Sequence, residues 1–176
     1  MKKKRRALLV NDMLNDFLMP GGVLYCGNRA RRMIPFVARK IKEFRNRGDK
    51  VFFVSDAHLP GDYELRIYLP HAMKGTRGAK LVDGIRRRSG DILIHKRFYD
   101  GFSNPQLARK LREYKIDEVY VTGVCTSICV MESVSALYHM KIPVYIYKRG
   151  VSDFDLASHY FALKRMKRIF GAHILP

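Results

Sequence analysis

The chain is poor in cysteine, poor in acidic residues, and free of any long apolar run. Its three cysteines, Cys26, Cys125 and Cys129, are an odd number in a 176-residue chain large enough to bury a core, which excludes a disulfide scaffold and leads us to expect a reducing, cytoplasmic setting. No stretch approaches the roughly 20 apolar residues that span a bilayer. The basic start, residues 1–6, is followed by only four apolar residues before Asn11 and Asp12, so neither a membrane span nor a signal peptide is expected, and 1–6 is read as a basic extension of one domain covering 1–176. Acidic residues number 16 against 34 Lys and Arg, a formal net charge of +18, which raises a nucleic-acid partner as a question.

Short β-branched runs alternate with longer segments of helical period, the pattern of repeated βαβ units. Strands are expected at 7–10, 50–55, 91–95, 118–122, 142–147 and 173–175. Continuous apolar runs such as VFFV at 51–54 suit strands buried on both faces. Helices are expected over 30–47, stopped by Gly48; from a cap at Ser103 or Asn104 to about 114; from Thr126 or Ser127 to about 140; and from Asp153 or Asp155 to about 170. The fold class is therefore α/β: an open parallel sheet of about six strands with helices on both faces, a Rossmann-like three-layer sandwich. Residues 59–84 form a long Gly- and Pro-containing stretch of the kind that often carries function.

In such sheets ligands sit beyond the carboxyl ends of the strands. Asp12 follows the first expected strand, Lys96 the third, and Cys129 lies a few residues past the fourth, in a first helical turn. The helix dipole and a nearby cation favour a thiolate there, which makes Cys129 a candidate nucleophile. A carboxylate can take the thiol proton and return it to a leaving amine, while an ammonium orients both. After the second strand, Asp56 and His58 project to one side, with Glu64 and His71 farther along the same loop. A carboxylate with two imidazoles suits zinc, iron or manganese.

Five motifs in order carry a resemblance: ALLVNDMLNDF (7–17) with PGG after it, SDAH (55–58), PHAMKGTRG (70–78), HKRFYDGF (95–102) and VTGVCTSICV (121–130). On these the chain is similar to the nicotinamidase and isochorismatase-like cysteine hydrolases, over about 7–175. The resemblance implies an Asp, Lys, Cys triad at Asp12, Lys96 and Cys129, with the thiol attacking a carboxamide, ammonia leaving, and water hydrolysing the thioester. It further implies a cis peptide at Val124–Cys125 and an oxyanion hole from the N–H groups of Cys125 and Cys129. It places a divalent metal, zinc before iron or manganese, on Asp56, His58 and His71 with Glu64 as a further ligand, and Phe17 beside a flat aromatic substrate. That metal would orient the substrate.

The expected activity is nicotinamidase, in NAD salvage, acting on a small-molecule amide as a homo-oligomer. Leu14, Ala57, Ala72, Cys125 and Ser127 stand where the family commonly has Gln, an aromatic, Cys, Ala and Asp. These departures keep open an amidase for another carboxamide or ureido compound, such as N-carbamoylsarcosine. Isochorismatases proper lack the nucleophilic Cys, so Cys129 speaks against vinyl-ether hydrolysis. A nucleic-acid-binding protein using clusters 2–6, 86–88 and 164–168 is a remote alternative, because no recognition motif interleaves those residues with aromatics. Cys26 and Cys125 are read as structural thiols, with oxidation of Cys125 and Cys129 to be expected only if their sulfurs approach.

Overall fold

The computed structural model describes residues 4–176; residues 1–3 of the basic start lie outside the described residues. β1 (Arg6–Asn11), β2 (Lys50–Asp56), β3 (Ile92–Lys96), β4 (Glu118–Gly123), β5 (Val144–Val151) and β6 (His173–Leu175) make one sheet in the order β3-β2-β1-β4-β5-β6. Every neighbouring pair is parallel. Alternate side chains divide between the two faces. Leu8, Val10, Val51 and Phe53 pack with α1 (Asn15–Leu18), α2 (Gly27–Arg32) and α3 (Ile34–Asn46). Ala7, Leu9, Phe52 and Val54 pack with α4 (Pro105–Glu113), α5 (Met131–His139) and α6 (Leu156–Phe170). Burial of both faces explains the uninterrupted apolar strands.

The chain moves outward from β1 to β2 and β3, then returns to β4 on the other side of β1. This reversal opens a crevice at the carboxyl ends of β1 and β4, where doubly wound sheets bind ligands. Gly123 sits in it with φ +113°, and a Cβ there would lie 1.9 Å from the Asn11 carbonyl oxygen. Only glycine lets the two strand ends approach this closely.

Some boundaries differ from the sequence expectation. The helix expected over 30–47 is two helices, broken at Met33, because Pro35 in the first turn of α3 offers no N–H and restarts the helix. β5 begins at Val144 rather than 142, after Pro143, which cannot donate to the ladder, and runs on to Val151 with a register shift against β4. The segment after β4 opens as a π-helical turn, Thr126–Val130, before α5, and neither Thr126 nor Ser127 caps it. Asp153 does not cap α6; its Oδ2 instead accepts the Ser127 N–H at 2.7 Å, while Asp155 caps α6 through the N–H groups of Ala157 and Ser158. Asn104 caps α4, as expected.

Candidate active site

Asp12, Lys96 and Cys129 come together in the crevice. Lys96 Nζ lies 3.0 Å from Asp12 Oδ2 and 3.5 Å from Cys129 Sγ, all three buried. Asp12 follows β1 in the left-handed region, φ 48°, a conformation that costs a non-glycine residue about 1–3 kcal/mol and that turns its carboxylate across the strand ends. Its Oδ1 is pinned by the Asp56 N–H at 2.8 Å. Lys96 ends β3 and also forms a short ion pair with Asp56 Oδ1.

The electrostatics follow from burial. Desolvation and the neighbouring Asp56 push the Asp12 carboxyl up to about 7, against the opposing pull of Lys96. Desolvation alone would lower Lys96, but the carboxylates of Asp12 and Asp56 and the Cys129 sulfur hold it well above the ordinary lysine range, so it is a cation. Burial drives the Cys129 thiol well above its usual value; Lys96 opposes this, and Asp12 and Asp56 add to it. Desolvation and the two carboxylates thus oppose the thiolate that helix position and Lys96 favour. A carboxyl near neutrality beside that thiol is matched to take its proton.

Four further side chains converge next to the triad. Asp56, His58, Glu64 and His71 are all buried and offer ligand atoms within 4.8 Å of one another. His58 Nδ1 is 3.1 Å from Asp62 Oδ2, and His71 Nδ1 is 2.8 Å from the Leu69 carbonyl oxygen. Nδ1 of each ring thus faces an acceptor outside the cluster, and Nε2 is turned toward the cluster, where His71 Nε2 lies 3.5 Å from Glu64 Oε1. His58 Nε2 is buried without a hydrogen-bond partner, 3.9 Å from Asp56 Oδ2 and 3.9 Å from Glu64 Oε1. An orphaned buried acceptor facing two carboxylates is a fit for a divalent cation.

Several supporting residues escaped the sequence reading. Asp62 accepts from the Leu59 N–H at 2.9 Å and is clamped by Arg97, the residue after Lys96. Asp16 Oδ2 accepts the Ala72 N–H at 2.7 Å, and Gly78 packs so closely that a Cβ would meet that oxygen at 2.0 Å, so α1 positions the loop that carries His71. The available signal was position: Asp62 lies between His58 and Glu64, and Arg97 directly follows Lys96. His95, His139, His159 and His173 stay outside the cluster.

A cavity of about 260 Å³ opens on Asp12, Asp56, Glu64, His71, Cys125 and Cys129. Its other walls are mainly Phe17, Tyr68, Tyr99, Val124, Ile128 and Phe154. Phe17 meets His71 edge-on at 5.6 Å, and Tyr68 does so at 6.2 Å. Tyr99 lines the cavity, whereas Phe102 packs with the α4–α6 side of the core. The Val124–Cys125 peptide is cis.

The isochorismatase domain profile matches residues 6–175. The chain belongs to the isochorismatase family. Among solved structures of this isochorismatase fold, it is similar to the nicotinamidase/pyrazinamidase PncA of Bacillus subtilis, with TM-score 0.92 and 29% identity over 98% of this chain and 100% of that one. It is also similar to the N-carbamoylsarcosine amidase of Thermoplasma acidophilum, with TM-score 0.89 and 30% identity over 97% and 95% of the two chains. The pyrazinamidase of Pyrococcus horikoshii in complex with zinc gives TM-score 0.89 and 28% identity over 97% and 98%. Among the described residues of this isochorismatase-family chain, no helix is long and apolar enough to cross a membrane.

Proposed function

We propose that the chain is a cysteine amidohydrolase that converts nicotinamide to nicotinate and ammonia. The observation that carries this reading is the contact of Lys96 Nζ with both Asp12 and Cys129, 3.0 and 3.5 Å away, beside the Asp56, His58, Glu64 and His71 cluster. Asp12 takes the Cys129 thiol proton as Sγ attacks the carboxamide carbon. The N–H groups of Cys125 and Cys129 receive the developing oxyanion, worth about 3–4 kcal/mol per donor in comparable sites. Asp12 then returns the proton to the leaving nitrogen, ammonia departs, and the thioester remains on Cys129. A water that gives its proton to Asp12 hydrolyses that thioester, releasing the acid and restoring the thiol. Lys96 stays charged throughout and holds the two reacting side chains in register.

Asp56, His58, Glu64 and His71 would hold a divalent ion, zinc, iron or manganese. Such an ion supplies a Lewis-acid anchor for a ring nitrogen of the substrate. The zinc complex of the Pyrococcus pyrazinamidase supports zinc. Phe17 and Tyr68, edge-on to His71, and Tyr99 on the same cavity offer aromatic walls to a flat ring.

The lining also bears on substrate class. It includes three carboxylates, Asp12, Asp56 and Glu64, and neither arginine nor lysine. A substrate carrying its own carboxylate, such as N-carbamoylsarcosine, would meet no arginine or lysine on that lining, whereas a neutral aromatic carboxamide needs none. The likeness to the Thermoplasma amidase favours that second reading, with the departures at Leu14 and Ala57. Ammonia release from nicotinamide and from N-carbamoylsarcosine, assayed as isolated, after chelation and after metal return, separates the two. Metal-dependent release from nicotinamide supports the first reading; release from the carbamoyl acid alone overturns it.

A further inference from the structure

Two thiols outside the triad face each other. Cys26 Sγ lies 3.4 Å from Cys125 Sγ, and both side chains are buried, 3% and 7% exposed. The fold creates this contact between positions 99 residues apart. Cys26 closes the loop between α1 and α2, where its N–H donates to the Phe17 carbonyl at 2.8 Å. Cys125 stands between β4 and the nucleophile's turn. Val23, Leu24 and Tyr25 of the loop line the cavity, and so does Cys125. Cys26 thus directly follows residues that line the cavity, and Cys125 lines it itself. The sequence reads Cys26 and Cys125 as structural thiols, with Cys125 oxidised with Cys129 only if those sulfurs approach; the Cys129 sulfur is engaged by Lys96 at 3.5 Å, and the thiol in contact with Cys125 is that of Cys26.

We propose that Cys26 and Cys125 are an oxidative modification site, forming a reversible disulfide that ties the loop between α1 and α2 to the segment after β4 when a small hydroperoxide enters the cavity. Cys125 lines the cavity and reacts first. Its sulfur attacks one peroxide oxygen, the O–O bond breaks, and the thiol proton leaves with the departing oxygen as water, giving a sulfenic acid. The Cys26 sulfur then attacks the sulfenyl sulfur. The S–O bond breaks, and the hydroxide leaves as a second water with the Cys26 proton. Two thiols and one hydrogen peroxide become one disulfide and two waters; each sulfur gives up one electron, and the peroxide is reduced.

A disulfide bond is about 2 Å long, so the sulfurs must close by roughly 1.4 Å, a distance within reach of side-chain rotation and a small shift of the loop. The Cys26 sulfur and burial together hold the Cys125 thiol well above its ordinary range, which slows its attack on a peroxide. A dithiol that oxidises only transiently is compatible with a reducing compartment. Its effect on turnover rests on the amidase reading, because drawing Cys125 toward Cys26 moves the N–H assigned to the oxyanion.

The test exposes the full chain and its Cys129→Ala variant to hydrogen peroxide, blocks free thiols by alkylation, and maps the cross-linked peptides by mass spectrometry. A Cys26–Cys125 linkage in both proteins is expected, undone by dithiothreitol. Mapping in Cys129→Ala requires no turnover, so failure of the amidase reading leaves this result standing. In the active enzyme the remaining activity should track the uncross-linked fraction and return on reduction. Cys26→Ser should keep its basal activity and show no reducible loss. A Cys125–Cys129 linkage, or separate sulfinic acids on Cys26 and Cys125, overturns the site; full activity in cross-linked protein overturns its closing role.

Discussion

Asp62 Oδ2 lies 3.1 Å from His58 Nδ1, and the Arg97 guanidinium holds the same carboxylate. Arg97 directly follows Lys96, so the end of β3 supplies a cation to the triad and a clamp to the ligand cluster in two consecutive residues. The Arg97 guanidinium keeps the Asp62 carboxyl well below the usual carboxylate range, against the effect of its burial. An ionised Asp62 fixes His58 as the Nδ1–H tautomer, which leaves Nε2 free for a metal.

Replacing Asp62 with Asn should weaken that orientation and lower metal affinity by about 10–100-fold. Competition with a chelator, read by metal analysis of the dialysed protein, measures this without an activity assay. Affinity equal to wild type would show that His58 is oriented by packing alone.

Cys129→Ala should reduce ammonia release by about 10³-fold or more while leaving the thermal midpoint close to wild type, since the change removes one sulfur atom and no backbone partner. Asp12→Asn should be similarly inactive, because an amide cannot accept the thiol proton. Steady-state rates with circular dichroism on both variants check this. Substantial turnover by Cys129→Ala would overturn the nucleophile assignment.

At the opposite end of the sheet, Glu118 is buried and receives Lys4 Nζ at 2.8 Å, Arg6 Nε at 2.6 Å and the Tyr120 hydroxyl at 3.2 Å. Burial raises its carboxyl, but these donors outweigh burial and the net shift is downward from 4.5. A folded value below the unfolded one means that the unfolded chain takes up the proton first as pH falls. The resulting stability is complete above the unfolded value and is lost as the medium acidifies through the folded one. Glu118→Gln should therefore lower the thermal midpoint at neutral pH and lessen its fall below about pH 4.5. Calorimetry from about pH 3 to pH 7 reads both effects.

Much of this arrangement was legible in the order of residue types. Six strands, their parallel pattern and the strand-end positions of Asp12 and Lys96 follow from short β-branched apolar runs separated by longer helical periods, because the central strands of this sheet are buried on both faces. The four ligand positions were legible from spacing and resemblance, and they do converge. What sequence could not show is long-range and electrostatic. The break at Met33 depends on how Pro35 meets the preceding turn, and the upward push on the Cys129 thiol depends on burial and on two carboxylates delivered by other strands. The Cys26–Cys125 contact spans 99 residues and leaves no local trace.

Gly123 provides the most direct test of how the sheet builds the site. Its φ of +113° is unfavourable for any L side chain, and the nearest atom to an added Cβ would be the Asn11 carbonyl oxygen, a backbone atom that cannot rotate away. Asn11 immediately precedes Asp12, and Gly123 immediately precedes the cis Val124–Cys125 peptide. Displacing either strand end would thus move Asp12 and the turn that carries Cys129 relative to one another. Gly123→Ala should cost about 2 kcal/mol or more, from the strained φ and the clash. It should also lower turnover beyond what the unfolded fraction explains, since a misplacement of about 1 Å can cost about 10²-fold. Urea unfolding alongside rates measured where the variant is fully folded separates the two effects. A variant that loses stability alone would mean that the strand ends readjust without disturbing Asp12 and Cys129.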